Sequence, residues 1–190
     1  VSSVGFVDKD LDAGELGAAS WELGIAHPPG FPIFTLVHKA ISLILPIGDI
    51  AFRSNLASGI MGAFSLSVWF SVLRLWGISQ TAALVGVFAT CCATGFMLHA
   101  TTVEVYSGLS LVVGLLVLGM IHYVEQTDQR SNLALCFGLG LAIAGHHPEL
   151  RLVALIIMSY LVITSARSTR VWASMGICLY ASLSPFIFAS

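Results

Sequence analysis

Three long apolar segments, at 55–76, 81–98 and 105–124, constrain the fold of this chain more than any other feature. Each is long enough to cross a bilayer as an α-helix, which takes about 20 residues. Their central parts contain no charged side chain. Only 9% of all residues are charged, far below the roughly one quarter found in soluble domains. The sequence therefore predicts an all-α membrane protein.

Three further apolar segments, at 133–145, 150–165 and 171–189, raise the predicted number of spans to about six. The first two are shorter, and the third contains Pro185, which neighbouring helices can accommodate within a membrane. We therefore expect a single transmembrane bundle over residues 55–190. Residues 1–54 are expected to form an external loop that contains short interfacial helices.

Two short helices are predicted in this external loop. Asp12 followed by Glu15 is typical of a helix N-terminus, where the first side chain caps free amides and the second reaches back. That helix is expected to run to Leu23 and stop at Gly24. A second helix is predicted over 33–45, with apolar residues at helical spacing and a narrow polar stripe on the opposite face. Because it is too short to span, we expect it to lie in the membrane interface.

The distribution of arginines predicts the orientation of the bundle. Arg74, Arg130, Arg167 and Arg170 fall in turns on the side opposite the N-terminal loop, which indicates that those turns are cytoplasmic. Most histidines and acidic residues then lie on the non-cytoplasmic side: His27, His38, His99, His146, His147, Asp8, Asp10, Asp12, Glu15, Glu22, Glu104 and Glu149. These polar side chains are therefore predicted to cluster at the non-cytoplasmic end of the bundle.

The residues alone leave the roles of these side chains open. Asp12 and Glu15 fit a capping box, and one of them can equally act as a general base near the membrane surface, with Asp10 as a competitor. His27, held by Pro28 and Pro29, is either part of a plain turn or a donor to a phosphate oxygen. Glu104 is either an ordinary acidic residue in the first turn of a helix or a group that orients a ligand or pairs with Arg53.

Metal, redox and nucleic-acid chemistry find little support. The side chains of the adjacent His146 and His147 would point about 100° apart on a helix and would chelate one ion poorly. We therefore assign no metal ligand, and a divalent metal remains an alternative. The four cysteines lie in apolar runs without CxxC spacing, which favours plain buried residues. A net charge of −2 gives no basic surface, so we expect no nucleic-acid partner.

Four motifs occur together and in order along the chain. They are Asp12-Ala-Gly-Glu15-Leu, Leu23-Gly-Ile-Ala-His27-Pro-Pro-Gly-Phe-Pro, Phe52-Arg53-Ser-Asn55-Leu and Glu104-Val-Tyr106. In this combination the chain resembles a multi-spanning family linked to the protein O-mannosyltransferases of the GT-C superfamily, over nearly its whole length. The pairing of Asp-x-Gly-Glu with His-Pro-Pro-Gly is specific, whereas Glu-Val-Tyr alone would be weak.

The resemblance implies a GT-C-like bundle in which the first external loop holds an essential acidic residue. Such an enzyme moves a sugar, expected to be mannose, from a polyprenyl or dolichyl phosphate to a protein Ser or Thr hydroxyl with inversion. By motif, Asp12 takes the place of the essential acid and Glu15 is the second expected catalytic residue. The expected substrate-binding residues are His27, Arg53, Glu104, Tyr106 and His146. Family members have Gly-Asn-His where this chain has Ala144-Gly145-His146, which leaves the role of the last residue open.

The chain also departs from the family pattern, because the resemblance implies a leading span before the acidic loop and further parts beyond residue 190. We therefore expect either a fragment of the enzyme or a shortened, non-catalytic subunit of a larger membrane complex. The expected partners are a lipid-linked sugar, an acceptor protein, membrane lipid and other membrane subunits, in the bacterial inner membrane or the endoplasmic reticulum. A transporter ranks last, because the middles of the spans lack the charges that mark a translocation path.

Overall fold

A computed structural model describes residues 11–26, 31–125, 135, 138–142, 152 and 154–159. In this part of the chain six helices follow one another: α1 (Leu11–Glu22), α2 (Pro32–Ile44), α3 (Ile50–Leu75), α4 (Gln80–Cys92), α5 (Thr94–Thr101) and α6 (Val105–Glu125). None of the described residues lies in a strand. The prediction of an all-α membrane protein is confirmed.

Two of the helices, α3 and α6, are long and apolar enough to cross a membrane. They correspond to the predicted segments 55–76 and 105–124. The Asp49 carboxylate accepts a hydrogen bond from the Phe52 amide at 2.8 Å and caps α3. The helix therefore begins at Ile50, before the predicted segment.

The predicted span at 81–98 is not one continuous helix, because α4 and α5 meet at a bend of 67°. Ala93, between them, has an extended backbone, and no side chain caps α5. Thr90, Cys91 and Cys92 precede the break and Thr94 and Gly95 follow it, all residues with weak helix propensity. The two helices can form a third span only as a broken one. The later predicted spans lie wholly or largely outside the described residues.

The ends of α1 also differ from the prediction. Because α1 begins at Leu11, Asp12 lies inside the first turn and is not the capping residue. The helix ends at Glu22, and Leu23 adopts a left-handed conformation with φ 57°. The Gly24 amide then donates to the Ala19 carbonyl at 2.9 Å, which is the hydrogen bond of a Schellman ending.

The chain divides into two compact units, Val1–Leu111 and Val112–Ser190. In the first unit, α2 packs against α1 and α3, and α3 packs against α4 and α5. A Cβ added at Gly62 would lie 3.1 Å from the Ala100 Cβ, and one at Gly59 would lie 3.3 Å from the Ala100 carbonyl oxygen. These two glycines therefore allow α5 to lie close against α3, as small residues do in membrane bundles.

In the second unit, close packing again depends on glycine. A Cβ at Gly119 would lie 3.1 Å from the Leu135 Cα, and one at Gly138 would lie 3.3 Å from a Leu116 methyl group. Leu116 and Leu135 are both buried. The end of α6 is therefore in close contact with residues that follow it in the chain.

The orientation of α2 is unexpected. Its polar residues Thr35, His38 and Ser42 are buried, whereas Leu36 and Leu43 are exposed. The helix has the predicted position and length, but its polar stripe faces the protein. The sequence alone did not indicate what this stripe would face.

Candidate functional site

The two acidic residues assigned to catalysis lie on the open side of α1. Asp12 and Glu15 are exposed, while Leu16 and Ala19 are buried against the rest of the unit. Residues three apart on a helix are neighbours on its surface. The apolar face therefore anchors α1 and leaves two carboxylates at its outer edge, near its N-terminus.

The structure brings α1 together with the turn that holds Glu104. Leu16 belongs to the same hydrophobic cluster as Val103, and the partly buried Ala13 and Val105 pack against that cluster. Glu104 thus lies between two residues that take part in it. Its amide also donates to the hydroxyl of the buried Ser58 on α3, at 3.4 Å. This turn and the acidic helix therefore share one apolar core, although they are far apart in the sequence.

His99 is a residue that the motifs did not assign to the site. Its ring lies 4.6 Å from that of Tyr106, between centroids, at an interplanar angle of 49°. In the described part of the chain its Nδ1 is buried without a hydrogen-bond partner. In the sequence, only its predicted position on the non-cytoplasmic side of the membrane had indicated a role for it. An imidazole therefore packs against the phenol of Tyr106, two residues after Glu104 in the chain.

Arg53 lies in the first turn of α3, where it holds the connection from α2. Its Nε and Nη2 donate to the Gly48 carbonyl at 3.2 and 3.0 Å. A Cβ at Gly17 of α1 would lie 3.9 Å from the hydroxyl of Ser54, so α1 approaches the start of α3. These two hydrogen bonds leave other N–H donors of the guanidinium for an anionic ligand.

His38 is buried on α2 and unsuited to neutralising a phosphate. Both of its ring nitrogens lack hydrogen-bond partners among the described residues, and its ring centroid lies 3.8 Å from that of Phe34. Burial lowers the pKa of His38 to about 3, from 6.5. The imidazole is therefore neutral at physiological pH.

Two assigned residues, His27 and His146, lie outside the described residues, as do His147 and Glu149. Within the described ranges no group of three or more His, Cys, Asp or Glu side chains could hold a metal ion. The groups that the structure does place are carboxylates, a phenol, an imidazole and a guanidinium. Such a set can accept a proton from a hydroxyl and bind the hydroxyl and phosphate groups of a ligand.

Comparison with known proteins identifies the family to which the chain belongs. A model described as Protein O-mannosyl-transferase TMEM260 N-terminal domain matches residues 12–171. The mouse Protein O-mannosyl-transferase TMEM260 is 38% identical over 142 residues, which make up 72% of this chain and 20% of that protein. Protein O-mannosyl-transferase tmem260 of Dictyostelium discoideum is 25% identical over 128 residues, 65% of this chain and 16% of that protein.

No solved structure matches the chain. The chain spans about a fifth or less of the length of these two curated relatives. The match to the family model begins at Asp12 and extends over most of the chain, including the Arg53 and Glu104 motifs. The chain therefore belongs to the family of the protein O-mannosyl-transferase TMEM260 N-terminal domain.

Proposed function

We propose that this chain acts in protein O-mannosylation and transfers mannose from a polyprenyl or dolichyl phosphate to a Ser or Thr hydroxyl. The names of the relatives support the reaction class. The observation that carries the proposal for this chain is the shared core of α1 and the Glu104 turn. It brings the acidic motif and the Glu-Val-Tyr motif to one region, beside the start of the spanning helix α3.

In the proposed mechanism Asp12 is the general base. Its carboxylate accepts the proton as the acceptor hydroxyl attacks the anomeric carbon from the face opposite the phosphate. The new bond joins the hydroxyl oxygen to the anomeric carbon. The bond from that carbon to the phosphate oxygen breaks, and the lipid phosphate leaves with the electron pair. The configuration is inverted, as in the base half of an inverting glycosidase.

The other assigned residues bind the donor in this proposal. A phosphate leaves as a stable anion and needs no strong general acid, so Arg53 or His27 serves to stabilise the developing charge. Glu104 and Tyr106 accept and donate hydrogen bonds to the sugar hydroxyls. Glu15 supports Asp12 from the same edge of α1, and His146 completes the phosphate side. The fold proposed for the bundle is of the GT-C type.

The test is mannosyl transfer by the full-length protein in native membranes, with a radiolabelled lipid-linked mannose and a Ser/Thr acceptor peptide. Asp12→Asn should reduce the rate by about 100- to 10,000-fold, because the loss of one general base typically has this effect. Glu22→Gln, which alters another exposed acid on the same helix, is the matched control and should transfer normally. Near-normal transfer by Asp12→Asn would rule out this role. A wild-type protein without transfer would favour the non-catalytic subunit.

The proposal also places the acidic loop on the non-cytoplasmic side of the membrane. It rests on the arginine distribution between the spans. A single cysteine introduced at Glu22 in sealed vesicles tests this. An impermeant maleimide should label it only from the non-cytoplasmic side, and labelling from the cytoplasmic side would reverse the assignment.

A further inference from the structure

His99 is held in a fixed position near the end of α5 by the residues on either side of it. Its neighbour Ala100 lies against two glycines of α3: a Cβ added at Gly59 or Gly62 would lie 3.3 Å or 3.1 Å from an Ala100 atom. Val103, four residues after His99, is buried in the hydrophobic core that α1 shares. The backbone around His99 is therefore anchored at both ends, and the position of the imidazole is set by the packing of α3 and α1.

The packing of the His99 ring does not by itself account for an imidazole at this position. The ring lies against that of Tyr106, with 4.6 Å between the centroids. Its Nδ1 is buried without a hydrogen-bond partner among the described residues. A buried polar atom without a partner costs free energy, and a phenylalanine would keep the ring contact without that cost. An unpaired group of this kind calls for an explanation, and a role for the other ring nitrogen supplies one.

The two nitrogens of the His99 ring differ in their surroundings. For His38 both ring nitrogens are buried and unpaired, whereas for His99 this holds for Nδ1 alone, and the side chain as a whole is only half-buried. A neutral imidazole has one donor and one acceptor nitrogen. An unpaired buried N–H is rarer in proteins than an unpaired buried acceptor, which favours the proton on Nε2. The Nε2–H is therefore the group that can reach a ligand.

We propose that the Nε2–H of His99 donates a hydrogen bond to a sugar hydroxyl of the lipid-linked donor, which makes His99 a further substrate-binding residue. The inference rests on the proposed function, in which Glu104 and Tyr106, five and seven residues further along the chain, bind the sugar. A hydroxyl can accept from an imidazole while it donates to a carboxylate. A phosphate has no such proton to donate and would be repelled by the Glu104 carboxylate in the same turn. The sugar is therefore the part of the donor that fits beside His99.

Binding of the lipid-linked mannose tests this role without depending on transfer. The full-length protein in nanodiscs is titrated with the radiolabelled donor, as the wild type and as His99→Phe, which keeps a ring against Tyr106 but has no N–H. This change should raise the Kd of the donor about 3- to 10-fold, through the loss of one neutral hydrogen bond. His99→Gln, whose amide N–H reaches about as far as Nε2, should restore most of the affinity. His122→Phe, on α6, is the matched control and should bind like the wild type.

Two further kinds of ligand test whether the hydrogen bond goes to the sugar. The lipid phosphate without a sugar should bind the wild type and His99→Phe equally. Among donors that each lack one mannose hydroxyl, one should bind both proteins with the same Kd, because the partner of the imidazole is already absent. Weaker binding of the bare lipid phosphate by His99→Phe would place the imidazole on the phosphate and overturn the assignment. An unchanged Kd for the complete donor would also overturn it.

Failure of this inference can be told apart from failure of the proposed function. A wild-type protein that binds the donor without transferring mannose would refute the reaction, and the Kd of His99→Phe would still decide the role of the imidazole. A wild-type protein that binds no donor would refute both. If His99→Phe lowers the apparent Tm, His99→Met and His99→Gln, which have similar length and differ in the N–H donor, provide the same comparison. Equal Kd values for those two variants would overturn the inference.

Discussion

Lowering the pH from 7 to 5 should destabilise the first unit of this protein, because His38 has to remain neutral where it lies. The side chain is 0% exposed, and neither ring nitrogen has a hydrogen-bond partner in the described part of the chain. Desolvation lowers the pKa of His38 to about 3, whereas the unfolded side chain titrates near 6.5. Between these values the unfolded state binds one more proton than the folded state.

The sign and the size of the effect follow from this difference. A group whose pKa is lower in the folded state than in the unfolded state stabilises the fold fully at pH values above its unfolded pKa. This contribution to the free energy of unfolding decreases as the pH falls from the unfolded pKa toward the folded pKa. Each pH unit within the window is equivalent to about 1.4 kcal/mol. At pH 5 the fold should therefore have lost about 2 kcal/mol relative to pH 7, which corresponds to roughly 4–8 °C in apparent Tm for a domain of this size.

The assay is thermal unfolding of the detergent-solubilised protein at pH 7 and pH 5, for the wild type and for His38→Leu. Leucine has a similar volume and does not titrate, so the difference between the two proteins isolates the contribution of this imidazole. The stability of His38→Leu relative to the wild type should rise by about 2 kcal/mol between pH 7 and pH 5. His122→Leu, on α6, is a control for general loss of a histidine. An unchanged difference between wild type and His38→Leu at the two pH values would show that the imidazole is hydrated or paired.

Three further predictions concern α3, its packing and its N-terminal cap. Gly62→Ala should destabilise the protein by about 1–3 kcal/mol, because the added Cβ would crowd α5. Gly86→Ala, where the added Cβ has open space around it, is the control and should be neutral or slightly stabilising. Equal shifts in apparent Tm for the two variants would refute the close contact. Ser65 and Ser110, whose hydroxyls lie 2.7 Å apart, should show a coupling of about 0.6 kcal/mol in a double-mutant cycle to alanine; zero coupling would indicate no hydrogen bond. Asp49→Ala should lower stability by about 1 kcal/mol through loss of the helix cap, measured as a drop in apparent Tm, and an unchanged Tm would contradict it.

Hydropathy identified the spanning helices because burial in lipid acts on each residue through its own side chain. The segments 55–76 and 105–124 were predicted on this basis, and helices occur there. The same reasoning missed the break at Ala93, since the cysteine, threonine and glycine residues around it weaken the helix without making the segment polar. Hydropathy measures transfer into lipid and not the propensity to continue a helix.

The candidate site could be predicted in part. The motifs indicated Asp12, Arg53 and Glu104, and the predicted spans placed the acidic loop and the Glu104 turn on one side. They could not show that Leu16 and Val103 share a core, nor that the unassigned His99 packs against Tyr106. These contacts join residues that are distant in the chain or lie on different helices.

The amino-acid sequence by itself determined that the chain is helical, that it enters a membrane, and that α2 has one polar and one apolar face. These properties follow from local composition and from the 3.6-residue period of the helix. The tertiary structure alone decided which face of α2 turns inward, because the contacts that bury Thr35, His38 and Ser42 come from the packing of other helices. Periodicity defines two faces of a helix, but only its neighbours decide what each face meets.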